Sequence, residues 1–207
     1  MLDKHSILIG YSGHALVVAE TAIDNEISLI GYAEKNQISN NPFQLDYLGF
    51  ENDENFIGWK KQVSFVLGIG DNLLRQKIGN LIESKDRTVE TVIHNSASIS
   101  VTVIIGSGTF INRNVAINAF AKIGKHVILN TGCIIEHDCR IADAVHIAPG
   151  AVLAGNVTVG ERAFIGANAV VKQGIRIGKD VIVGAGSVII NDVPDGKKVV
   201  GNPSRII

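Results

Sequence analysis

His137, Gly155 and His146 are the residues whose types and spacing point to a reaction. An imidazole takes a proton from an attacking amine or hydroxyl, and a backbone N–H close by steadies the oxyanion that the attack creates. Gly155 follows His137 at a spacing that the repeat described below turns into vertical stacking. A glycine there leaves space above the imidazole and exposes its N–H, which suits acyl transfer. The alternative for His137 is a solvated corner residue; for His146 it is an interface histidine with a hydrogen-bond partner. Cys133 and Cys139 are the two cysteines, and both fall on positions expected to point inward. They read as small core fillers rather than as a disulfide or a zinc pair. No thiol is then left to carry an acyl group, so direct transfer from a thioester is the economical mechanism.

A second site is suggested near the start of the chain. The turn Gly10-Tyr11-Ser12-Gly13-His14 follows the apolar run 6–10, and Gly70-Asp71-Asn72 follows the apolar run 62–69. Backbone N–H groups at a helix start suit a phosphate. Two glycine turns at the carboxyl ends of neighbouring strands form the crevice where open α/β sheets bind ligands. Glu34, at the end of the run 28–33, is placed to accept ribose or sugar hydroxyls. With only Gly10-x-x-Gly13 in place of the full dinucleotide fingerprint, a nucleotide or nucleotide-sugar fits better than a nicotinamide cofactor. The alternative is a purely structural turn, with His14 packed on the sheet.

The elements that must position these residues follow from two patterns. Strand, glycine turn, helix, strand over residues 6–33, then a strand over 62–69 and a helix opened by Gly70-Asp71-Asn72 and ending near Ser84, predict a small parallel βαβ sheet. The stretch 35–61 reads as loop with one short strand around Tyr47–Gly49. From Ile93 to Ile189 every sixth residue is Ile, Leu or Val, through 17 consecutive hexads. The fifth place of each hexad is small or β-branched, apart from Ile175. Strand side chains alternate, so places five and one point into a three-sided coil with one hexad to each side. Residues three hexads apart then stack at strand spacing, as His137 and Gly155 do.

The sixth place points outward and sorts by side. One side carries Phe110, Ile128, His146, Phe164 and Ile182; a second carries Ala116, Ile134, Val152, Val170 and Val188; the third carries Lys122, Arg140, Thr158 and Arg176. Two apolar sides left bare in water predict burial against other copies of the chain. A threefold ring buries two unlike sides per subunit, so a homotrimer is expected, with the Lys122–Arg176 side facing solvent. His137 and His146 lie half a coil apart and diverge on one chain, so they can converge only across an interface.

Whole-chain properties exclude other classes. The 207 residues have room for one small domain and one repeat domain, and a formal charge of −1 without a basic tract argues against nucleic acid. Residues 1–10 lack the features of a signal peptide and no apolar run reaches membrane-spanning length, so a cytoplasmic protein without a membrane partner is expected.

The hexads resemble those of left-handed parallel β-helices, and that resemblance supplies the hand. The expected fold is a Rossmann-like α/β βαβ domain over 1–90, followed by an all-β left-handed parallel β-helix over 91–207 that includes a C-terminal tail. Four further motifs, Gly10–Ala15 (GYSGHA), Asn130–Cys139 (NTGCIIEHDC), His146–Asn156 (HIAPGAVLAGN) and Gly201–Arg205 (GNPSR), carry a closer resemblance. Together they resemble bacterial nucleotide-sugar acetyltransferases of the bacillosamine and perosamine type, with related sialic acid O-acetyltransferases sharing them.

That resemblance implies a homotrimer in which the βαβ domain holds a nucleotide-sugar and the coil interfaces hold acetyl-CoA, with no metal. It implies acetyl transfer to a sugar amino group, at C4, with His137 as general base and Asp138 as its acidic neighbour. Adjacent strand residues point apart, so Asp138 helps only if the corner bends it round. His146 would contact acetyl-CoA from the adjoining subunit, Gly155 N–H would stabilise the oxyanion, and Ala167 and Ala185 would line the pantetheine. Ser12, Gly13 and His14 match the nucleotide-sugar turn, with Glu34, Lys35, Gly70 and Asn72 completing the pocket. Lys197, Lys198 and Arg205 are placed to meet CoA phosphates or to remain solvated tail charges.

Three other readings stand against this one. Sialic acid O-acetylation replaces the amine acceptor by a hydroxyl. A zinc carbonic anhydrase on the same coil needs an H-x4-H spacing, which His94, His126, His137 and His146 do not make. A non-catalytic scaffold or ice-binding coil would show ranks of threonine, and Thr109 stacks between Thr91 and Val127.

Overall fold

The computed structural model describes residues 5–207. The part of the leader reading that falls on residues 1–4 lies outside them. Strand β1 (His5–Ile9), helix α1 (Gly13–Asp24) and strand β2 (Ser28–Ala33) come first. A short helix α2 (Ile57–Lys60), strand β3 (Ser64–Leu67) and helix α3 (Asn72–Ser84) complete the N-terminal region. The three strands run parallel in the order β2-β1-β3. They form where the chain offers short, largely apolar runs, as a sheet covered on both faces requires. Helix α1 buries Ala15, Val18, Ala19 and Ala22. A Cβ on Gly68 would come within 2.5 Å of Ala15 Cβ, so glycine lets this helix settle onto the end of β3. Asp71 caps α3 by accepting the Leu74 N–H at 2.8 Å.

Within 35–61 the expected short strand is a single parallel bridge between Tyr32 and Tyr47. Helix α2, unforeseen in this polar stretch, forms because Trp59 has rings to pack on. Its indole lies 5.3 Å from Phe56 and 5.2 Å from Phe65.

From Val92 onward the chain is a parallel β-helix with two- and three-residue strands in three sheets of eight, six and five strands. Ile128 pairs with His146 and His146 with Phe164, Ile134 with Val152, and Arg140 with Thr158. Each of these steps spans three hexads, as the pattern requires. The interior is one continuous apolar column in which Cys133 and Cys139 are buried and free, with burial pushing the Cys133 thiol up to about 12. The corners obey a rule of their own. Asn114, Asp138, Asn156, Asn168 and Asp180 all sit in the fourth place of a hexad with φ between 54° and 60°. Short polar side chains and glycine tolerate this left-handed conformation best.

One expectation needs correction. The Phe110–Ile182 side was expected to be covered by a second copy of the chain. Its lower part is instead covered by the chain's own N-terminal region. Phe110 and Ile128 are 3% and 1% exposed, in one buried cluster with Leu8, Tyr11, Ala15 and Val18. The reason is economy of area: α1 has an apolar face of its own and the nearest unpaired apolar surface is this sheet. Ile182, farther along that side, remains exposed, as does Val170 on the second side. Lys122, Arg140 and Arg176 are exposed on the third. No helix among the described residues is long and apolar enough to cross a membrane.

Candidate active site

At the corner that follows Ile134–Ile135, His137 Nδ1 lies 2.9 Å from Asp138 Oδ2. In an extended strand these side chains would point apart. Asp138 has φ of 60°, and this left-handed turn brings its carboxylate back to the imidazole. The His137 side chain is 53% exposed, open to an incoming molecule.

Gly155 stacks above it, but not as open space. A Cβ on Gly155 would come within 2.5 Å of His137 Nε2, so the imidazole itself fills the volume that glycine leaves. As a residue Gly155 is buried. Among the described residues its N–H has no hydrogen-bond partner, while the neighbouring Asn156 N–H donates to His137 O at 2.8 Å. The corner thus joins an exposed imidazole, a carboxylate within hydrogen-bond reach of one ring nitrogen, and Gly155 packed against the other, with its own N–H unspent. Such a set can move a proton and steady an oxyanion.

Ala167 and Ala185 stack on another edge, with the Gly186 N–H donating to Ala167 O at 2.8 Å. That edge follows the Phe164 side, whereas His137 and Gly155 follow the Ile134 side. One chain does not bring the two pairs together.

His146 lies elsewhere again. It was expected at a subunit interface, yet in this chain it meets the N-terminal region. Its ring is 6.3 Å from His14, 5.0 Å from Phe164, and its Nε2 is 3.3 Å from Asn130 Nδ2. His14 packs edge-on against Phe110 at 5.6 Å, and its buried Nε2 has no hydrogen-bond partner among the described residues. Burial, and then the charge of Arg75, depress both histidines, His14 to about 4 and His146 to about 3. Both rings are therefore neutral at ordinary pH.

Arg75 is a residue that sequence reasoning missed. It is 1% exposed and donates to the carbonyls of His126 (2.7 Å), Gly70 (2.9 Å) and Ala144 (2.9 Å), with further bonds to Ile69, Val145 and Asn72 Oδ1. Desolvation lowers its guanidinium to about 9. The available signal was spacing: Arg75, Ile78, Gly79 and Ile82 share the buried face of α3. Asn72 belongs to the same joint. Its amide donates to Arg162 O at 2.8 Å and Ala163 O at 3.1 Å, so it faces the coil instead of the glycine-turn cavity. Gly70 and Asn72 line a separate cleft of about 410 Å3 with Arg162, Phe164 and Ile182.

The glycine turn and the end of β2 do come together. Glu34 accepts the Tyr11 N–H at 3.2 Å and the Lys35 N–H at 2.9 Å. Glu34 and Lys35 line a cavity of about 240 Å3 with Gly10, Phe50, Glu51 and Asn52. Ser12 and Gly13 are exposed beside it, and the Ser12 hydroxyl caps nothing in α1. Among the described residues no group of three His, Cys, Asp or Glu side chains is placed to hold a metal.

Three family descriptions match the chain: PglD N-terminal domain over residues 6–82, bacterial transferase hexapeptide (six repeats) over 120–155, and hexapeptide repeat of succinyl-transferase over 156–190. A comparison with curated proteins finds no match. Among solved structures, the chain is similar to a histidine-to-alanine variant of GDP-perosamine N-acetyltransferase from Caulobacter crescentus, in complex with CoA and GDP-perosamine. The identity is 35%, covering 98% of this chain and 96% of that one, with a TM-score of 0.92. It is also similar to the acetyltransferase domain of PglB from Neisseria gonorrhoeae in complex with acetyl coenzyme A, at 29% identity over 99% and 100% of the chains with a TM-score of 0.91. WeeI from Acinetobacter baumannii matches at 27% identity over 99% and 100%, with a TM-score of 0.89. With sheet, coil and corner histidine in place, and a relative of this identity spanning nearly its whole length, the chain belongs to the hexapeptide-repeat sugar acetyltransferases that carry a PglD-type N-terminal domain.

Proposed function

We propose that this protein transfers acetyl from acetyl-CoA directly to the C4 amino group of a nucleotide-linked amino-deoxy sugar. The observation that carries the reading is the His137–Asp138 pair packed on Gly155 at an exposed corner. His137 Nε2 removes a proton from the amine as its lone pair attacks the thioester carbonyl, and Asp138 orients the ring through Nδ1. The Gly155 N–H supports the tetrahedral oxyanion, which collapses with loss of the CoA thiolate; the imidazolium returns the proton to that sulfur. The sugar nucleotide lies in the N-terminal cavity, its phosphates at the Ser12–His14 turn. Relatives holding CoA with GDP-perosamine, or acetyl coenzyme A, support both ligand classes.

The pantetheine edge at Ala167 and Ala185 and the corner at His137 diverge on one chain, so the proposal includes a homotrimer that apposes them. The exposed Val170 and Ile182 on the two apolar sides are the surfaces for that contact. His146, kept neutral, serves as an uncharged hydrogen-bonding group for acetyl-CoA bound with the adjoining subunit.

The test is CoA release from acetyl-CoA with UDP-, dTDP- and GDP-linked 4-amino sugars and with free sialic acid as acceptors. A nucleotide-linked amine is expected to be acetylated. Turnover confined to sialic acid would sink the reading. Sedimentation of the active enzyme as a single chain would sink the interface.

A further inference from the structure

We propose that Glu51 reads the base of the bound nucleotide and selects guanine. This rests on the nucleotide-sugar reading above and names the nucleotide. In an open parallel sheet the phosphates lie over the turn after the first strand and the ribose lies at the end of the second, with the base beyond. Applied to this chain, the phosphates meet the turn after β1 and the ribose meets Glu34. The base then falls into the cavity where Phe50, Glu51 and Asn52 form the far wall.

The two carboxylates of that cavity are in different states. Glu34 is anchored to backbone, one oxygen accepting the Tyr11 N–H and the other the Lys35 N–H, with acceptor sites left for ribose hydroxyls. Glu51 is only 6% exposed, and among the described residues it forms no ion pair. Its Oε1 accepts the Asn52 amide at 3.2 Å. Desolvation raises the carboxyl above the usual range, the residue's own N–H offsets part of this, and the charge of Glu34 adds to it. Lys35, the one cation in the lining, is exposed.

A buried carboxylate without a cation is stabilised by N–H donors; Glu51 has the Asn52 amide and its own N–H, and its remaining acceptor sites are open to donors from a ligand. Guanine presents its N1–H and its 2-amino group side by side, the spacing at which a carboxylate accepts two parallel hydrogen bonds. Uracil and thymine present a single N–H between two carbonyl oxygens, which a carboxylate repels. Adenine offers an amino group beside a ring nitrogen that is itself an acceptor. Guanine is the base whose edge answers Glu51.

Calorimetric titration of the intact protein with GDP, IDP, UDP and dTDP tests the assignment. IDP differs from GDP only in lacking the 2-amino group. GDP is expected to bind about 10- to 100-fold more tightly than the other three, the loss expected for a hydrogen bond to a charged group. Glu51→Gln should bring GDP to within about threefold of IDP while leaving UDP unchanged, with an unaltered melting curve as the folding control. UDP or dTDP binding as tightly as GDP would overturn the guanine assignment and leave the nucleotide-sugar reading standing. So would IDP matching GDP, or Glu51→Gln weakening all four alike. Binding of none would overturn both.

Discussion

His137 and His146 lie half a coil apart on the same repeat, in opposite surroundings. His137 is half exposed at a corner, hydrogen-bonded to a carboxylate, and stacked on a glycine. His146 is packed among Phe164, Asn130 and His14 under the N-terminal region, with a buried guanidinium nearby. One environment admits a substrate; the other excludes water and charge. The lesson is that residue type alone does not divide labour between histidines. A base must be able to gain and lose its proton in reach of a substrate, whereas a ring held neutral can only orient or bind.

The comparison breaks most sharply at His137. His137→Ala is expected to lower kcat by about 10^2- to 10^4-fold with the melting temperature unchanged, since the side chain is exposed. Turnover close to that of the parent protein would give the base role to another group. Next comes Arg75, whose charge adds to burial in keeping the other site neutral. Arg75→Met removes the donors to several buried carbonyls, each costing about 1–3 kcal/mol when left unsatisfied. A total near 3 kcal/mol or more, read by urea unfolding, is expected; a loss under about 1 kcal/mol would show that water replaces the guanidinium.

Acid sharpens the contrast. The folded-state value of His146 is depressed to about 3, so the unfolded chain takes up a proton below its ordinary value while the folded one does not. Stability from this group is intact above about pH 6.5 and declines as the pH falls toward the folded value, by about 2 kcal/mol at pH 5. His146→Phe should flatten that part of the pH–stability curve, recorded as melting temperature from pH 7 to 5. An equal slope in both proteins would mean that His146 is not the buried neutral group described. The smallest effect is expected at Asp138. Asp138→Asn keeps the shape but weakens the hold on Nδ1, and a loss in kcat of about tenfold with a shifted pH–rate profile is expected. A pure KM effect would place Asp138 in binding instead of positioning.

Legibility in the sequence followed the range of the interactions. The coil was legible because stacking at every third hexad forces the same inward size at every sixth position, and nothing else in the chain competes with that pattern. The bounds of β2 and the start of α3 were legible for a similar local reason, an apolar run closed by polar Glu34-Lys35 in the first case and by the turn Gly70-Asp71-Asn72 in the second. The corner rule at the fourth place, where Asn, Asp and Gly predominate at positive φ beside Phe120, His126, Ala144 and Arg162, explains how Asp138 turns back to His137. Arg75 and Glu51 were not read. A charged residue on a helix or in a polar loop is ordinarily solvated, and only the docking of α3 against the coil or the folding of 50–52 over the cavity buries these two.

By itself the sequence determined the three-sided coil, which of its side chains point inward, and the stacking of Gly155 on His137, because all of these follow from a period that each residue obeys locally. Only the tertiary structure decided that the N-terminal region covers Phe110 and Ile128, that His14 meets His146, and that Asn72 serves the joint instead of the cavity. Those outcomes depend on how two separately patterned surfaces meet. The most favourable burial of their apolar area is a property of both shapes at once and is written in neither segment alone.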